Sequence, residues 1–326
     1  MRYWWVNQNQ THRQELEGGY LWSPKRNAND ARNPFYEFMR EVAPGDVVFS
    51  FVDTKIIALG IVTSYCYGNP KPAEFGGAGT YWNTIGWRVR VTFSRLNRQI
   101  RPKDHMGVLQ SVLPGKYSPL QPSGNGNQGV YLTTISEALA QILIGLIGTE
   151  AINLVRSQAA IHPFSERSAE TADLEIWENH IEQDIQEEPD LSETERESLV
   201  IARRGQGLYK QRVMQIESRC RITKVDNPAH LRASHCKPWR DCTNNQERLD
   251  GENGILLTPS IDHLFDRGFI GFEDSGRLII SPRADLPSLE RMGVATDTTV
   301  NVGPFSEGQR HFLDYHRNSV LLMALH

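Results

Sequence analysis

"NPAHLRASHCKPWRDCTNNQERLDGENGILLTPSIDHLFDRGFIGF", residues 227–272, is the most informative segment of the C-terminal half. A strand-like run ends at His235, and a second such run begins just after Asn253. A proline then opens a run in which Asp262 and Asp266 are four residues apart, on one face of a helix. The pattern predicts a hairpin followed by a helix, with polar side chains that converge on one cation.

These residue types match the needs of phosphodiester hydrolysis. A water must lose its proton as it attacks, and the neutral imidazole of His235 can accept that proton. A divalent cation must stabilise charge on the leaving oxygen, and the carboxylates of Asp262 and Asp266 suit a hard ion such as magnesium. His263, the next residue round the helix, would suit a softer ion. The amide of Asn253 can hold the loop that carries His235.

Around this stretch the chain resembles the HNH nucleases with the ββα-metal fold. The resemblance covers residues 205–318 and rests on segments in the family's order: "RRGQGLYKQRV", "RCRIT", "ASHCKPW", "NGILLTPS" and "IDHLFDRGFIGF", with "DYHR" near the end. It implies an endonuclease with one divalent metal, magnesium or manganese, in each nuclease site. It also implies that His235 is the general base and that Asn253 orders the loop.

The metal ligands implied by the resemblance depart from the usual pattern. Asp262 stands where many relatives have the last histidine of the name, and Asp266 supplies the second metal-site carboxylate. Because His263 is adjacent, either Asp262 or His263 can be the ligand. Ser234 stands where many nucleases of the fold place a further ligand, so that ligand is either missing or replaced by water.

Length and composition favour a soluble protein of two or three domains. The chain has 326 residues, 39% of them apolar, which is enough for packed cores. Its four cysteines form no C-x-x-C pair, so they predict neither a disulfide framework nor a zinc knuckle. No signal peptide is recognisable, and the longest apolar stretch, residues 138–148, is too short to span a bilayer. We expect a cytoplasmic protein without membrane contact.

Charge is distributed unevenly along the chain, although the net charge is only −4. Residues 165–198 hold thirteen Asp and Glu against two Arg, whereas residues 1–134 hold fifteen Lys and Arg against nine acids. Residues 199–283 hold fourteen Lys and Arg against ten acids. Two basic segments separated by an acidic one fit contact with a polyanion, because phosphate neutralisation needs only local positive charge.

The first 135 residues predict a small β-rich domain. Its strand-like runs are rich in aromatic and β-branched residues and are separated by Gly, Pro and Asn. The runs are "YWWVN" (3–7), "DVVFSFV" (46–52), "IIALGIVTSY" (56–65) and "WRVRVTF" (87–93). Asn33 can cap a short helix that begins at Pro34.

A helical and acidic linker is expected between this domain and the nuclease-like part. A helix with an apolar face begins at Thr134 or Ser136. The acidic stretch is expected to be solvated, with one short helix, and Ser192 with Glu195 forms a capping box that opens a helix toward Ile216. The prediction is an α+β chain with domains at 1–135 and 205–326, joined by residues 136–204.

The N-terminal part, roughly residues 1–135, resembles the EVE domain, a PUA-like barrel related to the YTH fold. The resemblance rests on "YWWVNQNQTHRQELEGGYLWSPK", "MREVAPGDVVFSFVDTKIIALGIVTSY" and "GWRVRVTF". Domains of this group are similar in holding one modified base in a pocket with aromatic walls. A flipped base needs replacement π-faces and hydrogen bonds at its edge.

The resemblance also implies which residues form such a pocket. Trp22 stands at the place of a cage tryptophan in the related fold, and Trp82, or else Trp87, is expected as the opposite wall. Polar contacts to the base edge are expected from Asp53, which could accept from the amino group of cytosine, and from Ser23 or Asn33. Strand alternation requires part of this aromatic set to be core, so each tryptophan can equally be a packing residue.

The two resemblances together imply a modification-dependent restriction endonuclease of the EVE-HNH, type IV-like kind. A pocket for 5-hydroxymethylcytosine or 5-methylcytosine would select double-stranded DNA, with a role in phage defence. Cleavage of both strands implies a homodimer. Two alternatives stay open: a non-cleaving reader of modified nucleic acid whose nuclease domain is inert, and a homing-type or colicin-like nuclease that cuts unmodified DNA.

Overall fold

The computed structural model describes residues 1–82, 85–158 and 169–323 of the chain. The chain divides into two compact units, unit 1 up to Asp173 and unit 2 from Leu174. Both units combine helices with β-sheet, so the predicted α+β class is confirmed. Within these described ranges, no helix is both long enough and apolar enough to cross a membrane.

Unit 1 is built on one seven-stranded sheet. Its strands are β1 (Tyr3–Asn7), β2 (Tyr20–Pro24), β3 (Val47–Val52), β4 (Lys55–Val62), β5 (Tyr67–Pro70), β6 (Ile85–Ile100) and β7 (Leu132–Ile135). The order is β2-β6-β4-β3-β1-β7, with β5 also paired to β6, and only β1 and β3 run parallel. Strand β6 pairs with β2 and β5 in its first half and with β4 in its second half. The long strand β6 thus joins two parts of the sheet, which curls between them.

Among the residues described for unit 1, five α-helices accompany this sheet. They are α1 (His12–Gly18), α2 (Pro34–Glu37), α3 (Met106–Leu109), α4 (Glu137–Ile147) and α5 (Thr149–Gln158). Ser136 caps α4, because its hydroxyl accepts from the backbone N–H of Leu139 at 3.2 Å. The apolar face of α4 shares a core with sheet residues such as Trp5 and Phe49. The helix that was predicted to open the linker thus belongs to unit 1.

Unit 2 contains a hairpin followed by a helix, as expected. Its strands are β8 (Arg232–His235), β9 (Gly254–Leu257), β10 (Ile270–Phe272) and β11 (Leu278–Ile280). Its helices are α6 (Ala169–Glu187), which begins before the boundary, α7 (Glu193–Ala202), α8 (Gly207–Met214), α9 (Asn245–Leu249), α10 (Pro259–Asp266), α11 (Leu286–Arg291) and α12 (Glu307–Ser319). Strands β8 and β9 pair antiparallel, and α10 follows β9 after one residue.

The acidic stretch forms helices that pack on unit 2, so no separate linker unit is present among the described residues. Ile185 of α6 and Leu199 of α7 are buried in the core of unit 2, and Ile181 packs against it. Acidic composition indicates solvent exposure on average, but two isoleucines at i and i+4 suffice to dock a helix. Helix α7 begins with the predicted capping box at Ser192. It ends at Ala202, earlier than expected.

Candidate functional site

A cleft of ≈550 Å³ in unit 2 brings together three of the predicted residues. His235 is the last residue of β8, whereas Asp262 and Asp266 lie in the first and last turns of α10. All three side chains line the cleft, and Ser234 lies beside them. The hairpin and the helix thus converge as the spacing predicts.

The imidazole of His235 is held in one orientation. Its Nε2 lies 3.0 Å from the carbonyl oxygen of Arg248. Because a carbonyl only accepts, we assign the proton to Nε2, which leaves the lone pair on Nδ1. The ring of Tyr209 stacks on it at 3.9 Å and 7°. Burial lowers the pKa of His235 to about 4, so the ring is neutral at pH 7, the form that a general base requires.

The fully buried Asn253 ties the loop between β8 and β9 together. Its side-chain oxygen accepts from the backbone N–H of Lys237 at 2.7 Å. Its amide nitrogen donates to the carbonyl oxygens of Lys237 and Glu247, at 3.1 and 3.0 Å. Its own carbonyl oxygen accepts from the N–H of Cys236 and from the hydroxyl of Tyr209. The loop that follows His235 is therefore fixed by one side chain.

A glycine lets α8 approach the strand that carries His235. Gly205 has φ +62°, and a Cβ there would lie 2.3 Å from the carbonyl oxygen of Ala233. Only glycine tolerates both the left-handed conformation and this distance. The close approach allows Tyr209, two residues into α8, to stack on His235. Close packing against Ala233 therefore explains the glycine of the "GQ" segment on which the resemblance partly rests.

The two carboxylates of α10 are neighbours, and each of them also lies near one arginine. Asp262 accepts from Arg232 at 3.4 Å, and Asp266 lies 3.8 Å from Nη1 of Arg240. Burial raises the pKa of Asp262, and the neighbouring charge of Asp266 raises it further. A cation between the two carboxylates would relieve this repulsion.

The donor set fits a hard cation better than a soft one. Asp262, Asp266 and the hydroxyl of Ser234 offer oxygen ligands, the kind that Mg²⁺ prefers, with water and substrate oxygens in its other positions. Across the three described ranges, no group of three or more His, Cys, Asp or Glu side chains is arranged to hold a metal. His263 does not line the cleft, since consecutive helical residues point about 100° apart. The geometry thus favours Asp262 over His263.

Sequence reasoning did not single out several residues of this cleft. Its walls also carry Arg203, Arg204, Arg232 and Arg240 and, from α6, Glu175, Glu178 and Glu182. Arg203 and Arg204 stand in "RRGQG", inside a segment of the resemblance, and that position was the available signal. Nothing in the local sequence places the glutamates of α6 beside them.

A second cavity, ≈370 Å³, lies in unit 1 and is lined by three of the predicted pocket residues: Trp22, Ser23 and Trp82. Tyr36, Phe51 and Tyr131 add aromatic walls, and Gln8 adds an amide. The hydroxyl of Ser23 is fully buried and has no hydrogen-bond partner in the described chain. A ligand in the cavity could supply that partner.

The tryptophans do not flank a slot as expected. The ring centroids of Trp22 and Trp82 are 5.9 Å apart, with 33° between their planes. A base between two rings needs about 7 Å, twice the contact distance of roughly 3.5 Å. Trp22 also packs against Phe75 at 5.8 Å. Trp22 and Trp82 therefore form one wall, and the alternative, Trp87, is buried outside the cavity lining.

Two predicted edge-reading residues lie elsewhere. Asn33 caps α2 by accepting from the N–H of Phe35 at 3.0 Å, and it donates to the side chain of Asn27. Asp53 is exposed in the turn between β3 and β4, with φ +46°. Neither lines the cavity. The structure therefore does not bring these two predicted residues to the cavity. A position at a strand end, such as that of Asp53, does not show which end of the sheet faces the cavity.

Glu15, which the sequence did not single out, organises the polar wall of this cavity. Its buried carboxylate accepts from the backbone N–H of Trp22 at 2.8 Å and from the hydroxyl of Tyr131 at 2.5 Å. It also accepts from Gln8 and Thr11, at 2.8 and 3.0 Å. Burial raises the pKa of Glu15 to about 7. All four partners line the cavity, so Glu15 sets their positions from behind.

A family comparison agrees with the geometry of unit 2. Residues 220–273 match the family model of the HNH endonucleases. Unit 2 carries an HNH endonuclease domain. The predicted nuclease class is thereby confirmed for this domain, which includes the hairpin and α10. No curated protein matches the chain.

Three solved structures that are similar to part of the chain each cover 44–45% of it. A protein from Pseudomonas putida has 13% identity and a TM-score of 0.31, covering 44% of this chain and 99% of its own. The Pho92 YTH domain in complex with m6A has 13% identity and a TM-score of 0.29, covering 45% and 86%. The YTH domain of Zygosaccharomyces rouxii MRB1 in complex with N6-methyladenosine RNA has 13% identity and a TM-score of 0.30, covering 45% and 87%.

Proposed function

We propose that the protein is a metal-dependent, modification-dependent DNA endonuclease, in which unit 2 cuts and unit 1 selects DNA containing a modified cytosine. The observation that carries the nuclease proposal is the neutral His235, which shares a cleft with Asp262 and Asp266. We further propose that it acts as a homodimer in the cytoplasm, in defence against phage with modified genomes.

In the proposed reaction, Nδ1 of His235 takes the proton of the attacking water. The Arg248 carbonyl and the Tyr209 ring hold the imidazole in place while it does so. Asp262 and Asp266 would hold a divalent ion, which supplies positive charge for the leaving oxygen. Asn253 keeps the loop after His235 fixed, so the base needs no rearrangement before each turnover.

The reader proposal is supported by the unit 1 cavity. Aromatic walls can replace the stacking that a flipped base loses, and the buried hydroxyl of Ser23 can bond its edge. The amide of Gln8 and the hydroxyl of Tyr131 offer further polar groups. A cavity of this size is at the lower end of the range for small-ligand sites, about 300–1,000 Å³.

A plasmid panel tests both halves of the proposal. Plasmids of one sequence that contain cytosine, 5-methylcytosine or 5-hydroxymethylcytosine are incubated with protein and Mg²⁺ or Mn²⁺. We expect cutting of the modified plasmids only, and selectivity should be lost in Ser23→Ala, with the exposed Ser123→Ala as a control. Equal cutting of all three plasmids would contradict the proposed reader function of unit 1 and support only the nuclease function of unit 2.

The second candidate function is a non-cleaving reader with an inert nuclease domain. It is favoured by the pairing of both α10 carboxylates with arginines and by Ser234 at a ligand position. Calorimetric titration with Mn²⁺ separates the two candidates. Binding that is lost in Asp262→Asn/Asp266→Asn supports the nuclease, whereas no binding, together with no cutting of any plasmid, supports the inert reader.

A further inference from the structure

The acidic helix α6 binds arginines of the nuclease cleft. Glu178 accepts from Nε of Arg203 at 2.9 Å and from Nη1 of Arg240 at 3.3 Å. Glu182 pairs with Arg203 at 2.9 Å, and Asn179 accepts from the same guanidinium at 3.1 Å. The charged side chains of these pairs are only 12–25% exposed, so the contacts are more than transient surface pairs.

Two sides of α6 contact unit 2: an apolar side packs on the core, and an acidic side lines the cleft. Ile181 and Ile185 dock the helix on the core of unit 2. Glu175, Glu178 and Glu182 follow at i, i+3 and i+7, so they share one side of the helix and line the cleft. The sequence of α6 contains seven Asp and Glu and no Lys or Arg.

The charges of the cleft are unsuitable for DNA while α6 is docked. The lining holds four arginines and five carboxylates, three of which belong to α6. Without those three, four arginines would face only the two carboxylates of α10. Carboxylates and phosphates present the same paired oxygens to a guanidinium, so a glutamate on an arginine occupies the place of a phosphate.

We propose that α6 is an autoinhibitory segment, in which Glu178 and Glu182 stand in for the phosphates of the DNA backbone on Arg203 and Arg240. DNA must displace the glutamates to reach His235, because both arginines line the same cleft as the base. The proposal names Arg203 and Arg240 as backbone contacts of the substrate. It rests on the nuclease function proposed for unit 2.

The test compares two double variants of the full chain that remove the same charge from the same helix. Glu178→Gln/Glu182→Gln removes the two glutamates that hold the arginines. Asp184→Asn/Glu187→Gln removes two exposed acids outside the cleft lining. Binding of a short unmodified duplex is measured by fluorescence anisotropy in EDTA, at several salt concentrations.

We expect Glu178→Gln/Glu182→Gln to bind about tenfold more tightly than the control, with a slope of log K against log salt that is steeper by about two, one for each released arginine. Equal affinities and slopes for the two variants would overturn the proposal. Since no metal is present, an inert nuclease domain leaves this result unaffected, so the two failures are distinguishable.

Hydrogen exchange on the unaltered protein provides a second measurement that does not depend on the folding of a variant. When duplex DNA is added in EDTA, the amides of residues 174–187 should exchange at least several-fold faster, because the helix leaves the cleft. Slower or unchanged exchange there, with DNA bound to unit 2, would show that α6 stays docked and is only structural.

Discussion

His235 and His316 have nearly the same local environment, yet only one of them is a candidate base. Each ring stacks on an aromatic side chain, Tyr209 or Phe265, at less than 4 Å. Each Nε2 lies within 3.0 Å of a backbone carbonyl oxygen. His316 is completely buried and fastens α12 to α10, whereas His235 lines a cleft. Access to the cleft, more than hydrogen bonding, separates the candidate base from the histidine that only packs.

Replacement of His235 tests the assignment of the base. In His235→Ala the water has no positioned proton acceptor, so cleavage should fall by roughly 10²–10⁴-fold. Plasmid cleavage measures this, with circular dichroism as the check on folding. His230→Ala, an exposed histidine five residues away, should retain full activity. Full activity in His235→Ala would assign the base elsewhere.

The pH dependence follows from the lowered pKa of His235. A histidine with an ordinary pKa of about 6.5 would lose half of its basic form at that pH. Because the pKa of His235 is about 4, the cleavage rate should show no inflection near pH 6.5 that is caused by this residue. An inflection at that pH which disappears in a rate-impaired His235 variant would contradict the assignment.

The same shift affects stability with a definite sign. Between pH 6.5 and 4 the unfolded chain protonates His235 and the folded chain does not. Above pH 6.5 the imidazole is neutral in both states, so the shift does not lower the free energy of unfolding. As the pH falls from 6.5 towards 4, protonation of the unfolded chain lowers that free energy progressively. Urea unfolding of the native protein and of His235→Ala at pH 7.5 and 5 should give curves that differ in their pH dependence. Parallel curves would show that the imidazole is not buried.

Among the elements of unit 2, the β8–β9 hairpin is stabilised more by the hydrogen bonds of Asn253 than by pairing between its two short strands. Strands β8 and β9 have only four residues each, and the long loop between them is fixed by three bonds from the amide of Asn253. Two carbonyl oxygens and one N–H depend on that single side chain. The position of His235 therefore depends on a residue at the far end of the loop.

Asn253→Ala should destabilise unit 2 strongly. The change leaves buried backbone groups of Lys237 and Glu247 unpaired, at a cost of about 2–4 kcal/mol in the free energy of unfolding. Chemical unfolding of the full chain measures it. Gln246→Ala, an exposed amide in the same loop, should change stability by less than about 0.5 kcal/mol. Similar losses in the two variants would contradict the role of Asn253.

Several elements followed directly from the sequence. Strand β1 has the predicted bounds, α4 begins at one of the two predicted caps, and the capping box of Ser192 and Glu195 forms both of its bonds. These features depend on periodicity and on contacts within four residues, which a sequence displays. The predicted single helix from Ser192 toward Ile216 is instead divided into α7 and α8. The break is also local, because Gly205 and Gly207 both have φ +62°, which a continuous helix does not allow.

At the scale of the whole molecule, the proposed homodimer has a direct test. One nuclease cleft can cut one strand at a time, so two chains are needed to cut both strands together. Sedimentation of the His235→Ala protein with a modified duplex should show two chains on each duplex. Double-strand cleavage with one chain per duplex at every concentration would contradict the dimer.

The order of the nuclease segments, the paired carboxylates of α10, the candidate base and the residue that orders its loop could all be predicted from the sequence, because spacing and residue type are local properties. Their surroundings follow from how distant segments pack in the folded chain. Docking of α6 turned an expected solvated linker into a wall of the cleft, and the curl of the sheet placed Asn33 and Asp53 outside the unit 1 cavity while it brought Glu15 behind it. Contacts between residues far apart in the chain depend on which faces pack together, and no single segment encodes that choice.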